Sequence, residues 1–366
     1  VFPRLYPSIR RCLLDETVSG EDKEWVLQTI AATVRSAPSA LVPFEADLAP
    51  AILGIWWSHA NDPMVAPSCE GVLADMVAVP EMQVSLLGRC LGSLRELMLH
   101  PSARPDAPPN IQEAAADLTA TLLRKVKGHN NRSDGGGSSS TSTSTSTSGQ
   151  IDVTLSGLHD VVFEPAVVLA TSSADAGVTQ SGVELVRLLV RRAGTRFPER
   201  SGLAGRTSTQ CVLEVLEKLL SPSGDEASSV FAGNLLCQLL STLPHAIGPV
   251  LSDVLRVLVA RLRTASMPIF ITGLVNAVAR LVHLAGEDVL HALRGMEGDG
   301  GGNEPRSVAP TESGLSLVLR LWTLHQNDIQ GSYNIKVALS ALMKIFSTQG
   351  LIEDVVVPGV MLDRMP

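Results

Sequence analysis

The stretch that decides the fold is Pro268–Leu284, "PIFITGLVNAVARLVHL", the most apolar in the chain. A membrane span needs about 20 consecutive apolar residues. This one carries Asn276 and Arg280 near its middle, which are costly in lipid. Glu287 and Asp288 follow and leave no room to lengthen it. The polar residues Thr272, Asn276, Arg280 and His283 fall at steps of four, four and three. That spacing puts them on one narrow face of a helix. The rest of the circumference is apolar, so the reading is a core helix covered on nearly every side.

Other stretches repeat the pattern. Asn234, Gln238 and Ser241 line one face of a predicted helix over 225–243, and Ser316, Arg320 and Thr323 do so over 313–327. Lys336, Ser340, Lys344 and Ser347 line the last, over 333–348. An ordinary surface helix has an apolar stripe a little over about 100° wide. A helix inside a solenoid is covered by its pair-mate and both neighbouring repeats, so only a thin polar strip meets water. Predicted helix starts near 225, 247 and 268 step by about 21 residues, so a pair takes about 42, close to the HEAT and armadillo period. The expected fold is therefore all-α, a HEAT-repeat α-solenoid in which antiparallel helix pairs form a right-handed superhelix. The candidate partner-facing strip is Asn234, Gln238, Thr272, Asn276, Arg280, Lys336 and Lys344.

Composition agrees. The chain has 366 residues, 45% hydrophobic but only 4% aromatic, dominated by helix-forming Leu, Val and Ala. Helical periodicity predicts helices at 4–14, 22–37, 46–60, 63–78, 82–99, 111–127, 158–170, 179–194, 207–220, 225–243, 247–264, 268–285, 287–294, 313–327 and 333–348. At "SHANDPMV", Asp62 is expected to cap a helix with Pro63 at its first position. The Gly/Ser/Thr tract 128–150 reads as a disordered loop, and 295–313 as a flexible insertion. Helical repeats are thus expected over 1–127 and 151–350. The start at Val1 and the end 351–366 are expected to be the edges of a fragment.

Chemistry is sparse. Cys12, Cys69, Cys90, Cys211 and Cys237 form no CxxC and read as buried, reduced thiols. No HExxH occurs. "GDGGGN", Gly298–Asn303, lacks the Lys-Ser/Thr of a phosphate loop, and "SGLAG", 201–205, lacks the centred Ser of a nucleophile elbow. The expectation is a non-enzyme with no catalytic residue, cofactor or metal. The net charge of −8 argues against nucleic-acid binding. Two basic clusters, Arg187 to Arg200 and Arg124 to Arg132, fall at helix C-termini, where cations complement the macrodipole, or else form a patch for an acidic partner.

"AGNLLCQLLSTLPHAIGPVLSDVLRVLVARLRTASMPIFITGLVNAVARLVH" and "LVLRLWTLHQNDIQGSYNIKVALSALMKIF" resemble importin-9-like members of the karyopherin-β (importin-β) family of nuclear transport receptors. "SHANDPMVAPSCEGVLADM", 58–76, is similar to a helix start of the same family, although Ala66 stands where many HEAT repeats carry Arg. The resemblance covers 225–350 strongly and 23–100 fairly. It implies a HEAT solenoid that wraps basic protein cargo, such as core histones or ribosomal proteins, without inserting in a membrane. It also implies contact with Phe-Gly nucleoporins, response to the Ran GTPase through an N-terminal region not present here, and shuttling between cytoplasm and nucleus.

Overall fold

Leu, Val and Ala at helical spacing fold as α-helices through the described residues, 2–103, 106–126, 155–296 and 312–348, of the computed structural model. No strand occurs among them. The tract 128–150, the interior of 295–313 and the end 351–366 lie outside the described residues. The chain divides into two compact units, one of residues 1–172 with 200–205, the other of 173–199 with 206–366.

The first unit holds α1 (Phe2–Leu14), α2 (Gly20–Ser36), α3 (Glu45–Ser58), α4 (Val65–Val77), α5 (Pro80–Leu99), α6 (Ile111–Lys125) and α7 (Leu155–Ser172). Helices α1, α3, α5 and α7 pack in succession as one layer, and α2, α4 and α6 as another. Across the layers α1 meets α2, α3 meets α4 and α5 meets α6. The apolar seam between them is closed, with Leu27, Ile30, Ile52, Trp56, Leu73 and Leu86 fully buried. Trp56 satisfies its indole N–H on Glu70, at 3.1 Å. Ser19 caps α2 by accepting from the Asp22 amide.

Asp62 does cap α4, but one turn earlier than regular helix begins. Its carboxylate accepts from the Met64 and Val65 amides at 2.8 and 3.1 Å, and the helix runs from Val65, so Pro63 stands in the turn before it rather than at its first position. The carboxylate satisfies amides that no helical carbonyl can reach.

The second unit holds α8 (Ala176–Ala193), α9 (Ser208–Leu219), α10 (Glu226–Ser229), α11 (Ala232–Thr242), α12 (Pro244–Ile247), α13 (Leu251–Thr264), α14 (Pro268–Gly295), α15 (Gly314–His325) and α16 (Ser332–Ser347). Helices α8, α11, α14 and α16 pack in succession. On their other side α9 meets α11, α13 and α15 meet α14, and α13 meets α15. The helix expected over 225–243 is broken into α10 and α11. The one expected over 247–264 starts regularly only at Leu251, after a 3-10 turn that includes Pro249. The two expected at 268–285 and 287–294 join as α14, kinked at Gly286, whose φ of +35° suits a residue without Cβ. The insertion expected at 295–313 is ordered at its end: Ser313 caps α15, and Glu312 holds Arg320 through two bonds of 2.8 and 2.9 Å.

Several polar ties between elements span 37 to 41 residues. In the first unit Tyr6–Asp47 spans 41 residues, Arg10–Asp47 37, Arg35–Asp75 40 and Ser85–Glu45 40. In the second, Arg261–Pro222 spans 39, Glu226–Ser266 40 and Glu226–Met267 41. Each joins a residue to its counterpart one helix pair along the chain.

Candidate binding face

Helix α14 has the length and hydropathy of a membrane span, but 61% of its apolar window is buried inside the protein. Its neighbours in the layer are α11 and α16, which carry two of the other predicted strips; the third, Ser316, Arg320 and Thr323, lies on α15. The crossing of α11 and α14 depends on two glycines: a Cβ placed on Gly233 would lie 2.3 Å from the Gly273 carbonyl. The backbones therefore touch at this crossing.

The predicted strip is brought onto one layer, but it is not uniformly open. Asn234 and Lys336 are exposed. Gln238 is half-buried and donates to the Thr242 hydroxyl at 2.8 Å. Thr272 was expected to meet water and is instead 6% exposed. Its hydroxyl bonds the Ile269 carbonyl of its own helix at 3.0 Å, which lets it pack among apolar side chains. Asn276 is half-buried, and its Oδ1 is covered without a hydrogen-bond partner. Arg280 bonds the Tyr333 hydroxyl, and its guanidinium lies over that ring, 4.7 Å from the centroid. It links α14 to α16 rather than standing free.

Lys344 is a second correction. Its ammonium donates to the Val282 carbonyl at 3.0 Å, in the turn where α14 kinks at Gly286. A kink leaves carbonyls short of helical donors, and a flexible cation can reach one. His283 joins the same seam, donating from Nε2 to the Val337 carbonyl at 3.1 Å.

Sequence reasoning missed two charged residues that tie the turns beside this face through backbone groups. Arg261 is 2% exposed and donates to the Pro222 and Gly224 carbonyls at 3.0 and 2.7 Å. Its guanidinium lies 4.9 Å from the Phe270 ring centroid. Glu226 answers from the other turn, accepting from the Ser266 and Met267 amides at the start of α14. An arginine at the inward phase of "LRVLVARL" was the available signal.

Elsewhere, an open groove of about 620 Å³ runs along α2, α4 and α6, bordered by Arg35, Asp75 and Lys125. A second of about 620 Å³ lies against α9 and α10, bordered by Glu214, Glu217, Lys218 and Asp225. Among the described residues no three His, Cys, Asp or Glu side chains gather to hold a metal. Cys69, Cys90 and Cys211 are buried, whereas Cys12 and Cys237 are half-buried, correcting the expectation of five buried thiols. Burial pushes the thiols of Cys69 and Cys90 up to about 12, so both stay protonated and inert. In the basic clusters, Arg191 and Arg192 occupy the last turn of α8 and Arg124 and Lys125 that of α6. Arg187 is held by Glu184 at 2.6 and 2.8 Å. No family model matches the sequence.

Proposed function

We propose that the chain is a run of HEAT-like repeats from an importin-β-like (karyopherin-β) nuclear import receptor. In this reading it binds basic protein cargo, such as core histones or ribosomal proteins, and helps carry it through the nuclear pore under Ran control. The observation that carries the repeat reading is the recurrence of polar ties at 37 to 41 residues in both units. HEAT and armadillo repeats have periods of about 40–47 residues. The two-layer order of the helices supports the same reading. The family comes from the resemblance of 225–350 and 23–100.

Cargo would be held by many weak polar contacts spread over successive repeats. Asn234, Gln238 and Lys336 offer amide and ammonium groups along one layer, suited to carbonyl groups of an extended segment. The preference for basic cargo rests on the net charge of −8. Each repeat touches only its neighbours, so a second ligand such as GTP-bound Ran, favouring another curvature, would loosen cargo by linkage.

The exposed cation Lys336 favours a second reading, a HEAT-repeat scaffold outside transport that takes an acidic partner segment. One experiment separates the two. Immobilised wild-type chain and the Lys336→Glu variant are titrated with core histones and with an acidic peptide. Transport predicts histone binding that tightens several-fold in the variant. A scaffold predicts peptide binding that weakens. Histone binding unchanged across Asn234→Ala, Gln238→Ala and Lys336→Glu would rule out this face as the cargo surface.

A further inference from the structure

The open groove in the first unit brings together the last turns of three helices. Arg35 lies in that of α2, Asp75 in that of α4 and Lys125 in that of α6. Helix α4 faces the groove with Ser68, Gly71 and Asp75, so short side chains form much of its floor. Gly71 stands in the middle of α4, where glycine is the poorest helix former after proline. A Cβ on it would find no atom within 4 Å. Neither packing nor a left-handed backbone asks for a glycine there. Gly54, Gly88 and Gly92 face open space too, but of the four only Gly71 lines this groove. What a glycine gives here is room for another chain to come close to the helix.

We propose that the groove over α4 binds an acidic segment of a partner protein, which sets short side chains over Gly71 and carboxylates against Arg35 and Lys125. This inference is independent of the transport reading. Charge selects the occupant. Two cations border the groove against one carboxylate, in a chain whose net charge is −8. Lys125 is exposed and forms no ion pair among the described residues. Arg35 donates to Asp75 at 3.0 Å, yet its side chain is 64% exposed. The rest of its planar fork can hold a second carboxylate. Cations in a last turn also complement the helix macrodipole, but that accounts for the charge and not for the recess beside it. A small molecule would have most of its surface buried in its pocket. This groove is open along its outer side, which suits a length of chain instead.

The test selects a phage-displayed library of random short peptides on the immobilised full chain. The expected binders carry clustered Asp or Glu beside Gly, Ala or Ser. Labelled synthetic copies are then titrated by fluorescence anisotropy against the parent, Gly71→Met and Lys125→Glu. Methionine favours helix and its Cβ meets open space, so Gly71→Met should melt no lower than the parent while filling the groove. Its affinity for the peptides should fall about tenfold or more. Lys125→Glu should weaken binding about fivefold, and added salt should weaken binding to the parent. Binders without acidic residues, no enriched binder, or affinity that falls in only one of the two variants would overturn the proposal. So would a Gly71→Met chain that melts below the parent, because packing would then require the glycine. A parent that dimerises while Gly71→Met stays monomeric would also overturn it and give the groove to a second copy.

Discussion

Replacing Gly233 with alanine tests the tightest contact in the second unit. The new Cβ would lie 2.3 Å from both C and O of Gly273 and 2.9 Å from its Cα. Carbon atoms in contact sit about 3.5–4.0 Å apart, so α11 and α14 must separate by about 1 Å or more. Overpacking of this kind costs about 1–3 kcal/mol. Alanine's helix propensity returns up to about 1 kcal/mol, leaving a net loss of about 1–2 kcal/mol. The reciprocal change has the opposite sign. A Cβ on Gly273 would meet Val230 O at 3.7 Å and Gly233 Cα at 4.0 Å, which is ordinary contact. Gly273→Ala should therefore keep only the propensity gain, up to about 1 kcal/mol. Thermal unfolding followed by circular dichroism should move down for the first variant and up or nowhere for the second, by about 2–4 °C per kcal/mol. Hydrogen exchange should quicken across 232–242 and 268–282 in Gly233→Ala alone. A Gly233→Ala protein as stable as the parent, or a Gly273→Ala protein destabilised more than it, would refute the asymmetric crossing.

Arg261→Met should lower the stability of the second unit by about 2–4 kcal/mol in urea unfolding, because the Pro222 and Gly224 carbonyls lose their donor. His159 is 3% exposed, stacked 4.4 Å from Phe163, and donates from Nε2 to the Ser201 carbonyl. Burial lowers its folded pKa below 6.5, so the unfolded chain takes a proton first and stability falls as pH drops through 6.5 toward the folded value. Denaturant midpoints of His159→Phe should be flatter than the parent's over that window. Glu70 is the reverse case. Burial raises its folded pKa above 4.5, so its contribution is present at acid pH and fades as pH rises through the folded value. Glu70→Gln should therefore be more stable than the parent at neutral pH, with the gap narrowing as pH falls toward 4.5 in the same denaturant assay.

The helices were legible because their apolar residues recur at helical spacing and Pro, Gly, Asp and Asn punctuate them; thirteen-residue α4 and sixteen-residue α16 fall within two residues of expectation. The break at Val230–Phe231 was not legible, since apolar periodicity runs through it, whereas Gly248-Pro249 did signal the later start of α13. The strip was legible as a set of faces and illegible as a surface. Spacing of four places Thr272 and Arg280 on one side of α14, but says nothing of what covers that side. Tyr333 arrives from 53 residues away and Lys344 from 62. Contacts of that range depend on how helices are stacked, which periodicity within one helix does not encode. Arg261 was missed for the same reason: its acceptors are carbonyls of a turn 37 and 39 residues earlier.

Those ties at 37 to 41 residues also set how the protein answers to force. A fold closed by contacts between distant ends of the chain must break as a whole. Within each unit these ties span a single helix pair, so a pull along one unit loads one pair at a time. Each pair that lets go frees about 40 residues, or about 140 Å of extended chain. Stretching should then proceed in short, even steps, and a pair that has yielded can re-form against a neighbour still in place. The molecule would behave less like a latch than like a ratcheted strap, lengthening under load without losing its thread.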